Sequence, residues 1–178
     1  MWTQADYIKA YRFAAERHNG QKYPGTDLPY ITHLSFVCME VIAALRVSQV
    51  ESETVAIQCA LLHDVIEDTA TTYAEVKQEF GAEVANGVMA LTKSAALDKP
   101  LQMPDSLRRL KQQPAAVQMV KLADRISNLQ APPAHWTTAK MTAYREEAIV
   151  IHAALKGANR YLADRLQQKI TDYQQWLA

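Results

Sequence analysis

The segment Leu61-Leu62-His63-Asp64-Val65-Ile66-Glu67-Asp68-Thr69 concentrates most of the reactive chemistry in this chain. Read as a helix, it sets His63 and Glu67 four residues apart, and Asp64 and Asp68 likewise, so an imidazole and three carboxylates share one broad polar sector. Carboxylates that close repel one another unless solvent or a cation compensates them, and a divalent metal does so most directly. Two other segments supply matching groups. Pro29-Tyr30-Ile31-Thr32-His33 puts a second histidine at a helix start, and Val120-Lys121-Leu122-Ala123-Asp124-Arg125-Ile126-Ser127-Asn128-Leu129 puts Asp124 inside an apolar helix. His33, His63, Asp64 and Asp124 together form an N2O2 ligand set. Such a mixture suits Mn2+, Fe2+ or Zn2+, and the lack of thiolate ligands argues against a structural zinc site.

The elements that must carry these residues read as helical almost throughout, with no alternating β-branched stretch between hairpin turns. The expected class is all-α. Residues 2–17 form a first helix ended by Asn19-Gly20, and 21–29 a loop. A second helix starts near Pro29, whose missing N–H is tolerated in a first turn, and runs to about 46. Ser52 or a neighbour caps a third, continuous through Val55, Cys59, Leu62 and Ile66. Thr72 and Glu75 have the form of a capping box, with Phe80-Gly81 closing that helix. Another helix covers 82–92. Residues 93–105, with Pro100 and Pro104, read as a loop facing substrate. Helices resume over 105–112 and 115–131, the latter stopped by Pro132-Pro133, and continue over 138–155 and 158–177.

Composition narrows the functional classes. The chain has 178 residues, with Lys+Arg 19 against Asp+Glu 19 and a formal net charge of zero. A protein whose main task is holding nucleic acid carries a basic excess, so none is expected as a partner. No run of apolar residues approaches a membrane span, and Asp6, Lys9, Arg12 and Glu16 interrupt the start where a secretory signal would need an apolar stretch, so neither membrane attachment nor export is expected. Cys38 and Cys59 read as small buried hydrophobes, consistent with a reducing, cytoplasmic compartment. Residues 1–178 are expected to form one domain of about eight to ten helices.

The ordered set His33, His63-Asp64, Asp124 resembles the H…HD…D signature of the HD superfamily of metal-dependent phosphohydrolases. More narrowly, PYITH, LLHDVIEDT, FGAEVANGVMALTKS and VKLADRISNL are similar to the hydrolase half of the Rel/Spo alarmone enzymes, and the length resembles the small alarmone hydrolases. The resemblance implies an HD-domain bundle and hydrolysis without synthesis, since 178 residues leave no room for a synthetase domain. It implies that His33, His63, Asp64 and Asp124 hold one Mn2+ per chain. It also implies that Glu67 and Asp68 position and activate the attacking water, and that Asn128 contacts the nucleotide. The implied reaction removes pyrophosphate from the 3′ position of a guanosine or adenosine alarmone, (p)ppGpp or (p)ppApp. Independently of the resemblance, a carboxylate beside a metal but not on it is suited to general-base work.

One element departs from the family pattern. After His18-Asn19-Gly20-Gln21 the alarmone hydrolases usually carry a basic pair, whereas this chain continues Lys22-Tyr23-Pro24. A phenol cannot supply the charge or the planar stacking cation of an arginine. Base preference therefore stays open between guanine and adenine, with Lys22 and Tyr23 as substrate-contact candidates. Hydrolysis of another nucleotide, a nucleoside monophosphate or a dinucleotide phosphate, is the first rival reading. A nucleotide-binding module without turnover is the second, disfavoured by the intact Glu67-Asp68 pair. His18, His135 and His152 read as non-catalytic, and Arg108, Arg109 and Lys111 as a solvated basic face.

Overall fold

Four helices begin where a side chain satisfies an otherwise unpaired backbone donor, two of them with reciprocal bonds. Thr3 and Asp6 form a reciprocal capping box at the start of α1 (Gln4–Arg17), and Thr72 and Glu75 form another at the start of α5 (Tyr73–Phe80). The computed structural model describes residues 1–177. Between and after these helices lie α2 (Ile31–Leu45), α3 (Glu53–Leu62), α4 (Val65–Asp68), α6 (Ala82–Leu91), α7 (Lys99–Leu110), α8 (Ala115–Asn128), α9 (Thr138–Leu155) and α10 (Arg160–Asp172), closed by a 3-10 turn at Tyr173–Trp176. The all-α expectation is borne out. Among the described residues the sole extended pairing is an isolated antiparallel bridge between Lys22 and Pro29.

The core is organised around α3 and α8. All residues of α3 from Val55 to Leu62 are buried, and α8 is buried from Met119 through Ser127. Helices enclosed on nearly every side belong at the centre of a domain, and α2 packs against both. α1 covers α3, α6 leans on α3 and α8, and α9 and α10 close the far side of α8. The helix inventory differs from the sequence expectation in four places. The third helix is not continuous: α3 stops at Leu62, His63 and Asp64 form a turn, and α4 is a separate short helix. The expected loop at 93–105 is helical from Lys99, because Pro100 sits in the first turn and the burial of Met103, Ser106, Leu107 and Leu110 on one face repays helix formation despite Pro104. α8 ends at Asn128, short of 131, and the C-terminal helix gives way to the 3-10 turn after Asp172.

Gly81 joins α5 to α6 with φ 85°, a conformation that side-chain-bearing residues rarely adopt. Gly87 has a different reason. A Cβ there would lie 2.7 Å from Cys59 Sγ and 2.9 Å from Val117 Cγ2, so its absence lets α6 settle onto α3 and α8. Gly87→Ala is accordingly expected to destabilise the fold by about 1–3 kcal/mol through overpacking, lowering the urea midpoint without changing the slope.

Candidate metal centre

Helices α2, α3 and α8 bring their polar side chains to one point in the core. His33 in the first turn of α2 and His63 at the end of α3 are 2% and 3% exposed, and Asp124 of α8 is 6% exposed. His33, His63 and Asp64 each offer a ligand atom within 4.8 Å of the others. Asp124 Oδ1 stands 3.4 Å from His33 Nε2 and 3.8 Å from His63 Nε2. All four side chains singled out from the sequence as ligands are thus brought together.

The ring orientations are set from behind. A backbone carbonyl can only accept, so the 3.0 Å contact of His63 Nδ1 with the Ala60 carbonyl puts the proton on Nδ1 and turns Nε2 toward the site. Ser127 Oγ lies 3.3 Å from His33 Nδ1, so the Nε2 face of that ring also looks inward. His63 Nε2 is fully buried yet has no hydrogen-bond partner, although Asp64 Oδ2 is only 2.9 Å away. The two groups are close but misaligned for a bond with each other, as ligands directed at a common cation would be. A buried nitrogen without a partner is costly, and a divalent ion satisfies it. The residues present therefore fit a metal.

The carboxylates are compensated by donors from outside the ligand set. Tyr30 donates its hydroxyl to Asp64 Oδ2 at 2.6 Å. The buried Lys121 donates to Asp124 Oδ2 at 2.9 Å, and Asn128 Nδ2 donates to Asp124 Oδ1 at 2.6 Å. Burial by itself raises both carboxyl pKa values. Burial is the largest single effect at Asp64, but His63 and His33 together outweigh it, and Lys121 with the two imidazoles does so at Asp124, so both are held well below the usual carboxylate range. Burial also pushes the Tyr30 phenol far up, with the Asp64 charge adding to it, so Tyr30 remains a donor.

Glu67 and Asp68 lie on α4 but diverge. Both Glu67 oxygens face Lys93: the backbone N–H donates to Oε2 at 2.7 Å and Nζ to Oε1 at 3.2 Å. Asp68 Oδ2 instead accepts from Gln21 Nε2 at 3.0 Å, in the loop that precedes α2. The single polar sector expected of a continuous helix is opened out by the turn at His63-Asp64. Tyr23 stacks on His33, with centroids 5.7 Å apart and planes 12° from parallel. Lys22 engages Asp27 at 2.6 Å, both well exposed. The structure brings Tyr23, and not Lys22, to the metal centre.

Beyond Asn128 a groove of about 890 Å3 opens, walled by Tyr23, Phe36, Pro132, Trp136 and Tyr144. Its charged lining residue, Glu40, is held by the Arg165 guanidinium. Sequence reasoning missed Tyr30, Lys93, Lys121 and Gln21 as supporting groups, and did not single out Trp136. The positions of Tyr30 and Lys121, each three residues before a ligand, were the available signal; nothing local marks Lys93.

Comparison with known proteins agrees with this geometry. The family model described as HD domain matches residues 10–161. The guanosine-3′,5′-bis(diphosphate) 3′-pyrophosphohydrolase MESH1 of Danio rerio is 32% identical over 171 residues, covering 93% of each chain. The enzyme of the same name from Homo sapiens is 31% identical over 168 residues, covering 92% of each. The GTP pyrophosphokinase rsh of Brucella ovis is 37% identical over 155 residues, which make up only 20% of that longer protein. A solved metazoan orthologue of SpoT, described as hydrolysing ppGpp, superposes with a TM-score of 0.83 and 25% identity over 100% of this chain and 99% of its own.

The charges of this centre make stability depend on pH once metal is stripped. Burial lowers the His63 pKa, but Asp64 and Asp124 more than offset that and raise it from 6.5 to about 9. A raised histidine stabilises fully below its unfolded value and ceases to do so as pH climbs through the folded one. In the chelator-treated protein, the thermal midpoint is expected to fall between pH 6.5 and 9. His63→Gln is expected to abolish that slope, and saturating divalent metal to flatten it, with protons released on binding.

Proposed function

The chain belongs to the HD-domain family, and from that membership we propose that it is a metal-dependent phosphohydrolase that removes pyrophosphate from the 3′ position of ppGpp. The observation that carries this reading is the buried, partnerless His63 Nε2 among His33, Asp64 and Asp124, beside a groove whose charged residue is paired. Those four side chains would hold the ion, taken here as Mn2+ because imidazole and carboxylate donors suit it. Such an ion, when bound, supplies Lewis acidity: it draws charge from a phosphoryl group and makes nearby water more acidic.

The remaining work falls to the protein's own groups. Glu67 keeps lone pairs beyond those used by Lys93, and it accepts the proton of the attacking water. Water oxygen adds to the phosphorus attached to the 3′ oxygen, the P–O bond to the ribose breaks, and the 3′ oxygen takes a proton as pyrophosphate departs. Asp68, held by Gln21, is the second carboxylate for that proton traffic. Asn128, already on Asp124, and Tyr23, on the face of His33, flank the ribose and base. The Tyr23–Trp136 groove suits a purine, because four aromatic rings stand in its walls and its charged residue, Glu40, is neutralised by Arg165. A small nucleotide, and not nucleic acid, is the partner, and residues 1–178 act as one catalytic unit. None of the described helices is long and apolar enough to cross a membrane, in keeping with cytoplasmic work.

Two measurements test the assignment. Glu67→Gln is expected to retain metal at the wild-type level while turnover falls about 100-fold or more, in the range of a lost general base, whereas His63→Ala loses the metal itself. Release of orthophosphate in place of pyrophosphate would overturn the reaction. With no stacking guanidinium at position 23, discrimination between guanosine and adenosine alarmones rests on an apolar groove, and the two kcat/KM values are expected to differ by no more than about 100-fold.

A further inference from the structure

We propose that Arg109 is a positioning residue for Glu67, acting through the one peptide group that joins Thr92 to Lys93. This rests on the reading of Glu67 as proton acceptor given above. At the end of α6 the last carbonyls have no helical partners, and the chain leaves the helix at Thr92 with ψ 130°. Arg109, from α7, covers them. Its Nη1 donates to the Met89 carbonyl at 2.7 Å and the Ala90 carbonyl at 3.1 Å, and its Nη2 donates to the Thr92 carbonyl at 2.7 Å. Its Nε donates to Asp105 Oδ2 at 2.8 Å, which fixes the plane of the guanidinium.

The Thr92 carbonyl and the Lys93 N–H are two ends of the same planar amide. One end accepts from Arg109 and the other donates to Glu67 Oε2 at 2.7 Å. The peptide cannot turn without breaking both bonds. A cation on the carbonyl also polarises the amide and strengthens its N–H as a donor to a carboxylate, so the row Asp105, Arg109, peptide, Glu67 alternates in charge and is mutually reinforcing. The Lys93 ammonium reaches the second oxygen, Oε1, from the same residue. Arg109 thus sets the rotamer of Glu67 without touching the site. A lysine could not substitute, because three carbonyls and a carboxylate are met by one rigid fork.

Arg108 provides the control. It also pairs with Asp105, at 2.6 Å, but is 64% exposed and makes no bond to α6. The test is a double-mutant cycle on ppGpp hydrolysis with metal content and thermal midpoint measured for each protein. Arg109→Gln is expected to lower kcat by about 10- to 100-fold, the scale of a misplaced catalytic group, with KM within about 3-fold and metal content unchanged. Arg109→Lys, which keeps the charge and is the safer variant for folding, is expected to fail to restore kcat; Arg108→Gln is expected to match wild type. Added to Glu67→Gln, Arg109→Gln should cost less than about 2-fold more, because the group it positions is already gone. An equal loss in both backgrounds, or unchanged kcat in folded Arg109→Lys, overturns the role of Arg109 while leaving Glu67 as acceptor. Full turnover by Glu67→Gln overturns both.

Discussion

Asp64 and Asp124 are like charges brought into the interior of a helical bundle, and most of what surrounds them exists to make that tolerable. Each has a donor from outside the ligand set, Tyr30 for Asp64 and Lys121 with Asn128 for Asp124, while His33 and His63 approach from within it. Removing one partner from such a buried set costs about 3–5 kcal/mol, because the charge left behind has no solvent to turn to. Helices α2, α3 and α8 therefore cannot slide against one another independently. Their register is dictated by polar contacts as much as by the apolar packing of Leu34, Leu61, Leu62 and Leu122. The break between α3 and α4 belongs to the same constraint, since Asp64 at φ −102° and ψ −3° lies outside ideal helical geometry and points its carboxylate at His63 and Tyr30.

The zero net charge of the chain takes on meaning from this arrangement. A polyanionic substrate needs cations, and the site provides them in confined places, with Lys93 against Glu67 and Lys121 sealed behind Asp124. The ligand set supplies a site for a further positive charge that composition does not count. The adjoining groove is of the opposite character, since four aromatic rings and three prolines stand in its walls and its carboxylate is taken up by Arg165. Charged groups and stacking surfaces are thus separated in space, which suits the phosphoryl and nucleoside ends of the proposed substrate.

What could be read from the sequence, and what could not, divides along physical lines. The helical class, the capping box at Thr72, the helix end at Gly81 and the four candidate ligand residues were legible because each is encoded within a few neighbouring positions. The helix spacing of His63 and Glu67 misled, because periodicity assumes an unbroken helix, whereas the chain turns at Asp64, whose carboxylate is held by Tyr30, 34 residues away. Lys93 was placed in a loop and Arg109 on a solvated face for the same reason. Their partners, Glu67 and the carbonyls at the end of α6, lie 26 and 17–20 residues distant, beyond the reach of any local pattern. Prolines at 100 and 104 suggested a loop where the burial of Met103, Leu107 and Leu110 outweighed them.

The loop before α2 shows why a basic residue one position away does not replace a missing one. From Gln21 to Tyr23 the backbone is extended and tied to the following strand-like segment by the Lys22–Pro29 bridge and by Tyr23 N–H donating to the Leu28 carbonyl at 2.8 Å. Side chains along an extended segment alternate in direction. Gln21 turns inward, where its amide spans His18 Nδ1 at 2.7 Å and Asp68 Oδ2 at 3.0 Å; Lys22 turns outward to Asp27; Tyr23 turns inward onto the ring of His33. Moving Lys22 into the site would expel Gln21 and Tyr23 together, releasing Asp68 and uncovering a buried imidazole. The position where the family pattern has a basic residue is occupied by a phenol whose pKa is raised by burial and by the Asp124 charge. On the proposed reading, what this position offers a nucleotide is an aromatic ring and a neutral hydroxyl, so selectivity there comes from shape and stacking instead of from a guanidinium.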